Sequence, residues 1–360
     1  MKKGYDLFEY LKPVWNTRSI TNETVMFLGE EDSAKLLYSP ENIISVKNYS
    51  LDKTYVSGKD YIVENGAIKR LIGGDIPFFT PEEYYVSEPG QYSIGVNKEN
   101  VPFNLGEGDK LLAYGEGDTF TRRQITITYT TTEKWKGVVP IGKDNRLLGF
   151  NKRLEKGEKI KIVFYGDSIT TGCNSSGTPM GGNVPPYMDS YPEMITEYLQ
   201  KKYNGNVQME NVSVGGWSTY DGYNNFDERV LPLVPDLLVL AFGMNDLFTP
   251  LDEYYKMTEE MVLKLKKINP NAEIVLVATM WPHTESTWVQ NQIKTLDELL
   301  KLETKYEFIA VADLTTLHGD ILKIKRYRDM TANNINHPND FMARVYGQVI
   351  LQTVLGDKFN

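Results

Sequence analysis

From about residue 158 onward the apolar residues come in five short runs, at 160–165, 207–212, 237–242, 274–278 and 308–312, separated by longer stretches of helical period. In the clearest of these stretches Tyr254, Met257, Met261, Leu265 and Ile268 recur at spacings of three and four, one stripe of a helix. Strands alternating with helices form a parallel sheet covered on both faces, an α/β/α arrangement of three layers. Ligands in such sheets bind beyond the carboxyl ends of the strands, so the residues that follow each run are the candidates for chemistry.

The preceding part has a different punctuation. Over 1–150, Gly, Pro and Asn separate short β-branched or aromatic runs, and no 12-residue amphipathic helix interrupts them. Tyr61-Ile62-Val63, then Asn65-Gly66, then 67–71 predict a hairpin, because Asn-Gly supplies the two positive-φ residues of a tight primed turn. Residues 124–133 alternate Ile125, Ile127 and Tyr129 with Thr, the period of a half-buried strand. The expectation is an all-β sandwich of jelly-roll type. The Lys-, Gly- and Asn-rich stretch 146–158 is taken as a linker, which divides the 360 residues into units at 1–150 and 151–360.

Charge and composition narrow the partners. With 39 Lys+Arg against 48 Asp+Glu, the net charge of −9 offers no surface for neutralising phosphates, which argues against nucleic acid. The single Cys173 has no disulfide partner, and one Cys with three scattered His makes no zinc cage, so neither a structural metal nor a cofactor is expected. No 18-residue apolar stretch occurs, and the N-terminal MKKGYDLFEYLKPVW lacks the apolar core of a secretion signal. A cytoplasmic protein without a membrane partner is the expectation; the oligomeric state is not legible.

Four polar blocks follow the apolar runs. The first is Gly166-Asp167-Ser168-Ile169, which places a hydroxyl and a backbone N–H at a strand-to-helix turn, where an ordinary helix cap is the simpler reading. Asn211-Val212-Ser213-Val214-Gly215-Gly216 and Gly243-Met244-Asn245-Asp246 follow the second and third runs, and each alone reads as turn chemistry. Asn334-Ile335-Asn336-His337-Pro338-Asn339-Asp340 sets a histidine in a polar loop before a final apolar helix. Together they supply what acyl transfer needs. Ser168 is a nucleophile, His337 a base, and the Ser168 N–H, Gly216 N–H and Asn245 amide are donors for an oxyanion.

In these blocks and their order the chain resembles the SGNH hydrolases of the GDSL esterase superfamily over about 158–360. The resemblance implies a three-layer, flavodoxin-like α/β/α domain and serine hydrolase activity on esters. Residues 115–120, GEGDTF, and the stretch YTTTEKWKG ending at Gly137 are similar to the N-terminal β-sandwich of bacterial SGNH carbohydrate esterases. That likeness implies an acetylated oligosaccharide or another small acyl ester as substrate. A sugar-binding protein with an inactive hydrolase unit, and a short-chain lipase or thioesterase, are the competing readings.

One position departs from the family, which usually has Asp three residues before the histidine where this chain has Asn334. An Asn can fix the imidazole tautomer but brings no charge. The favoured expectation is a Ser-His dyad oriented by Asn334 or a backbone carbonyl, the alternative a carboxylate from elsewhere in the chain, such as Asp340 or Asp329. His283, after the fourth run, is the rival base or a substrate contact, whereas His318 reads as structural, packed or exposed. Cys173 either lines the site or fills space. Residues 187–191 and Trp217 either offer aromatic faces to a sugar or pack in turns and core.

Overall fold

A computed structural model describes residues 3–86, 93–95 and 111–359. The N-terminal half begins with α1 (Leu7–Leu11) and continues as β1 (Ser19–Met26), β2 (Ser33–Lys35), β3 (Asn42–Asn48), β4 (Tyr61–Glu64) and β5 (Ala67–Arg70). After α2 (Pro81–Tyr84) come β6 (Tyr85–Val86), β7 (Ser93–Gly95), β8 (Leu111–Ala113) and β9 (Gln124–Thr130). The strands pair antiparallel in three sheets, ordered β1-β9-β3, β2-β5-β4 and β6-β8-β7. The β4–β5 hairpin turns at Asn65 and Gly66, with φ of 51° and 76°. Strand β9 is buried more completely than a half-buried strand: besides Ile125, Ile127 and Tyr129, Gln124 and Thr126 are buried. The Gln124 amide donates to the Arg328 and Thr331 carbonyls, so this second face docks on the C-terminal half instead of meeting water.

Residues 146–158 do not form a free linker. Leu148–Glu155 is α3, with Phe150 and Leu154 buried, and the Asn151 amide donates to the Val354 carbonyl at 2.8 Å. The spacing of Leu147, Phe150 and Leu154 carries the helical period through a stretch whose Lys and Gly content resembles a connection.

Beyond it, β10 (Ile160–Gly166), α4 (Ser168–Thr171), α5 (Tyr191–Tyr203), β11 (Val207–Asn211), α6 (Thr219–Arg229) and β12 (Leu237–Ala241) are followed by α7 (Leu251–Ile268), β13 (Glu273–Ala278), α8 (Thr295–Lys305), β14 (Ile309–Asp313), α9 (Leu314–Leu322) and α10 (Asp340–Leu355). The five strands are parallel, in the order β11-β10-β12-β13-β14. Successive residues serve opposite faces. Ile162, Phe164, Val239 and Val275 pack with Ile195 of α5 and Val345 and Val349 of α10. Val163, Tyr165, Leu240 and Leu276 pack with Phe226 of α6, Met261 of α7 and Leu302 of α8. Helix α7 is turned slightly from its expected stripe: Tyr254, Thr258, Met261, Val262 and Leu265 are buried, whereas Ile268 is exposed.

The first of these clusters does not stop at the N-terminal half. Leu7, Tyr10, Val25, Ile127 and Tyr129 belong to the same apolar assembly as Phe341 and Val345. Among the described residues no helix is long and apolar enough to cross a membrane.

Candidate active site

The turn after β10 is set by crowding. A Cβ on Gly166 would stand 2.5 Å from both the Ala241 carbonyl oxygen and Thr170 Oγ1, so only glycine lets the strand pass this close. Asp167 caps the single turn of α4, its carboxylate accepting the Ile169 N–H at 2.9 Å. Burial pushes its acid up to about 7, against the pull of that N–H and of His337. Ser168 follows, and its Oγ lies 2.9 Å from His337 Nε2.

The histidine is presented by a loop stiffened with amides. Asn333 Oδ1 accepts the N–H groups of Ile335, Asn336 and His337 at 3.0, 3.0 and 2.9 Å. The His337 carbonyl in turn accepts from the Ala332 N–H and Thr331 Oγ1. On the far side of the ring, His337 Nδ1 stands 2.6 Å from Asn174 Oδ1 and 3.2 Å from Glu116 Oε2. The Asn174 amide cannot be turned over without loss, because its Nδ2 donates to the Gly117 and Met180 carbonyls at 3.2 and 3.3 Å. Its oxygen therefore faces the ring, Nδ1 carries the proton, and the Nε2 lone pair is directed at Ser168 Oγ.

This arrangement corrects the expected dyad. Asn334 does not reach the imidazole: its Oδ1 accepts the Tyr84 hydroxyl at 2.9 Å and its Nδ2 donates to the Ala113 carbonyl at 2.8 Å. Asp329 is paired with Arg326 and accepts the Met26 N–H, and Asp340 accepts the Ser176 N–H. Asn174 and Glu116 take the place beside Nδ1. Asn174 sits six residues after Ser168, and Glu116 lies in the GEGDTF stretch. Contacts across 163 and 221 residues leave no local pattern that reveals them.

Gly216 and Asn245 meet Ser168 in one cleft of about 350 Å³. Gly216 has a φ of 80°, in the left-handed region that favours glycine. Asn245 Nδ2 donates to the Trp217 carbonyl at 3.0 Å, and buried Asp246 accepts the Thr219 N–H at 3.1 Å and the Thr219 and Thr249 hydroxyls at 2.9 Å. The two loops that carry Gly216 and Asn245 are thus tied together. Tyr114 and Trp288 also line the cleft, and no Lys or Arg does among the described residues.

The remaining candidates lie elsewhere or pack. His283 is buried outside the cleft, its Nδ1 accepting the Glu285 N–H and its Nε2–H donating to Tyr84 at 3.0 Å. It is neither rival base nor substrate contact. Tyr191 stacks on Tyr346, Met188 is buried, and Trp217 packs its ring edge against Tyr165 with Arg229 over its face. Cys173 does line the cleft, its Sγ 3.3 Å from Met180 Sδ, and burial pushes the thiol up. Among the described residues no three His, Cys, Asp or Glu side chains converge as metal ligands.

Burial also sets a pH dependence of stability. His318 accepts the Trp281 N–H on Nδ1 at 2.9 Å, and desolvation pushes its acid down to about 3. A histidine lowered in the folded state contributes stability fully above its unfolded value, roughly 6.5, and loses it as pH falls toward 3. His318→Asn keeps an oxygen for the Trp281 N–H. Between pH 6.5 and 4.5 its unfolding free energy in urea should fall about 2 kcal/mol less than the parent's. Asp167 and Asp340, pushed up to about 7 and about 6, act with the opposite sign and cancel from the comparison. Equal losses in both proteins would show that His318 is not held neutral.

Among solved structures the chain is similar to a two-domain esterase active on acetylated mannans, co-crystallised with mannopentaose, at 20% identity and a TM-score of 0.48. That match covers 62% of this chain and 56% of the esterase, so the chain spans little more than half of its length. An acetylxylan esterase from Geobacillus stearothermophilus matches at 19% identity and a TM-score of 0.47, over 56% of this chain and 97% of that one. An alpha/beta hydrolase from the metagenome of Lake Arreo matches at 18% identity and a TM-score of 0.45, over 56% and 96%. No curated protein matches. The GDSL-like lipase/acylhydrolase family model matches residues 164–345, just over half of the 360 residues, and spans Ser168, Gly216, Asn245 and His337. The chain belongs to the GDSL-like lipase/acylhydrolase family.

Proposed function

We propose that the protein is a serine esterase that removes a short acyl group, acetyl above all, from carbohydrate hydroxyls. The observation that carries this reading is the Ser168 Oγ to His337 Nε2 approach of 2.9 Å, with the tautomer fixed from the other side by Asn174. His337 takes the serine proton as Oγ attacks the ester carbonyl, and the Ser168 N–H, Gly216 N–H and Asn245 amide face the developing oxyanion. The protonated imidazole then gives its proton to the leaving sugar oxygen, and a water repeats the sequence on the acyl-enzyme.

The sugar and the acetyl group rest on the chain's resemblance to bacterial carbohydrate esterases. A cleft of about 350 Å³ with Tyr114 and Trp288 in its wall suits a short acyl chain and a stacked sugar ring. The lack of Asp at residue 334 is the sequence support for an inactive sugar-binding protein. That argument weakens once Asn174 and Glu116 stand at the ring. Mass spectrometry tests the reading: acetylated xylo- and manno-oligosaccharides should lose acetyl masses on incubation, and a fluorophosphonate should form one adduct, on Ser168. Intact glycans and an unlabelled serine would overturn it.

A further inference from the structure

The family's usual acid is missing, yet a carboxylate stands at the ring, and it comes from the other half of the chain. Glu116 lies between β8 and β9. Its Oε2 is 3.2 Å from His337 Nδ1 and its Oε1 accepts from Asn333 Nδ2 at 3.1 Å. Asn333 is the same residue whose oxygen gathers three N–H groups of the histidine loop. The backbone around Glu116 grips the same parts: the Gly115 N–H donates to the Asn333 carbonyl, and the Gly117 carbonyl holds the Asn174 amide. Resting on the esterase reading, we propose that Glu116 is a positioning residue for the reaction, a carboxylate lent by the N-terminal half that stabilises the His337 imidazolium in place of the family's Asp.

The division of labour follows from charge. Asn174 fixes the tautomer, but a neutral amide does little for a ring that becomes positive in the transition state. Glu116 supplies the charge. Burial alone would push its acid up, but the bonds from His337, Asn333 and Asn174 outweigh burial and hold it below the usual carboxylate range. The other titratable groups facing this site are Asp167, whose acid is pushed up to about 7 by burial, and Cys173, whose thiol is pushed up and stays neutral. No Lys or Arg lines the cleft among the described residues, so the imidazolium meets no competing cation there.

Glu116→Gln separates this role from a structural one, because Gln keeps an oxygen for Asn333 and turns an uncharged amide, with neither charge nor acceptor, toward the ring. The expected result on a short acyl ester is a fall in kcat of about 10–10²-fold with KM within about threefold. The loss is smaller than for a buried triad Asp, since Asn174 still fixes the tautomer and Glu116 is partly exposed. The acid limb of the kcat/KM profile should move to lower pH, because a carboxylate that favours the charged ring has gone. Rates are referred to the end-point count of fluorophosphonate-reactive serines, so partial misfolding does not distort them, and the position of the acid limb does not depend on that count. A kcat within twofold of the parent, or a lowered kcat with an unmoved acid limb, would overturn the role of Glu116. A parent protein with neither turnover nor a Ser168 adduct would instead overturn the esterase reading beneath it.

Discussion

Ser168→Ala is expected to lower kcat/KM for a short nitrophenyl ester by about 10⁴–10⁶-fold, the scale on which removal of an activated serine acts. The thermal midpoint should stay within a few degrees of the parent's, since among the described residues the Ser168 side-chain hydroxyl bonds only to His337 Nε2, and it borders the cleft. His337→Ala should cost nearly as much. The double variant should be hardly worse than either single one, because the two groups act as a unit and what survives comes from binding and the oxyanion donors. A Ser168→Ala protein that turns over within tenfold of the parent would remove the serine from the mechanism.

Asn245→Ala tests the donors. The loss should be about 10²–10³ in kcat, the usual consequence of deleting one oxyanion donor, with KM changed far less because the oxyanion exists only on the way to the intermediate. The variant also gives up the bond from Asn245 to the Trp217 carbonyl, but the neighbouring loop remains tied through Asp246 to Thr219. A defect confined to KM would make Asn245 a substrate contact and leave the oxyanion to the two backbone N–H groups.

What the sequence discloses and what it hides divide along the range of the contacts. The parallel sheet is legible because each strand is a short apolar run, and a buried strand announces itself within six residues. Ser168, Gly216, Asn245 and His337 are legible for a related reason: each lies at the end of an element, in a block of four to seven residues with its own composition. Helix α3 is missed because its polar face dominates a count of residue types, although Leu147, Phe150 and Leu154 keep the helical spacing. The partners of the imidazole are hidden more deeply. Asn334 sits where an orienting residue is expected, but its φ of 70° belongs to a turn that sends its side chain to Tyr84 and the Ala113 carbonyl. Of the groups that do reach the ring, Asn174 comes from 163 residues earlier in the same half and Glu116 is set by how the two halves dock, and no local period encodes either.

The same docking fixes when in the life of the chain the site comes into being. The histidine loop is held by Gln124, by Ala113 and by the 115–117 segment, all of them made before Ser168 leaves the ribosome, while His337 follows Ser168 by 169 residues. A nascent chain can thus complete most of its sheet and still own a serine without a base. Closing a loop of 169 residues is the step that joins them, and its entropy is repaid only when the long-range bonds form together. The serine therefore has no base until the segment carrying His337 has been made and docked, so a chain truncated or stalled before residue 337 does not carry the assembled pair.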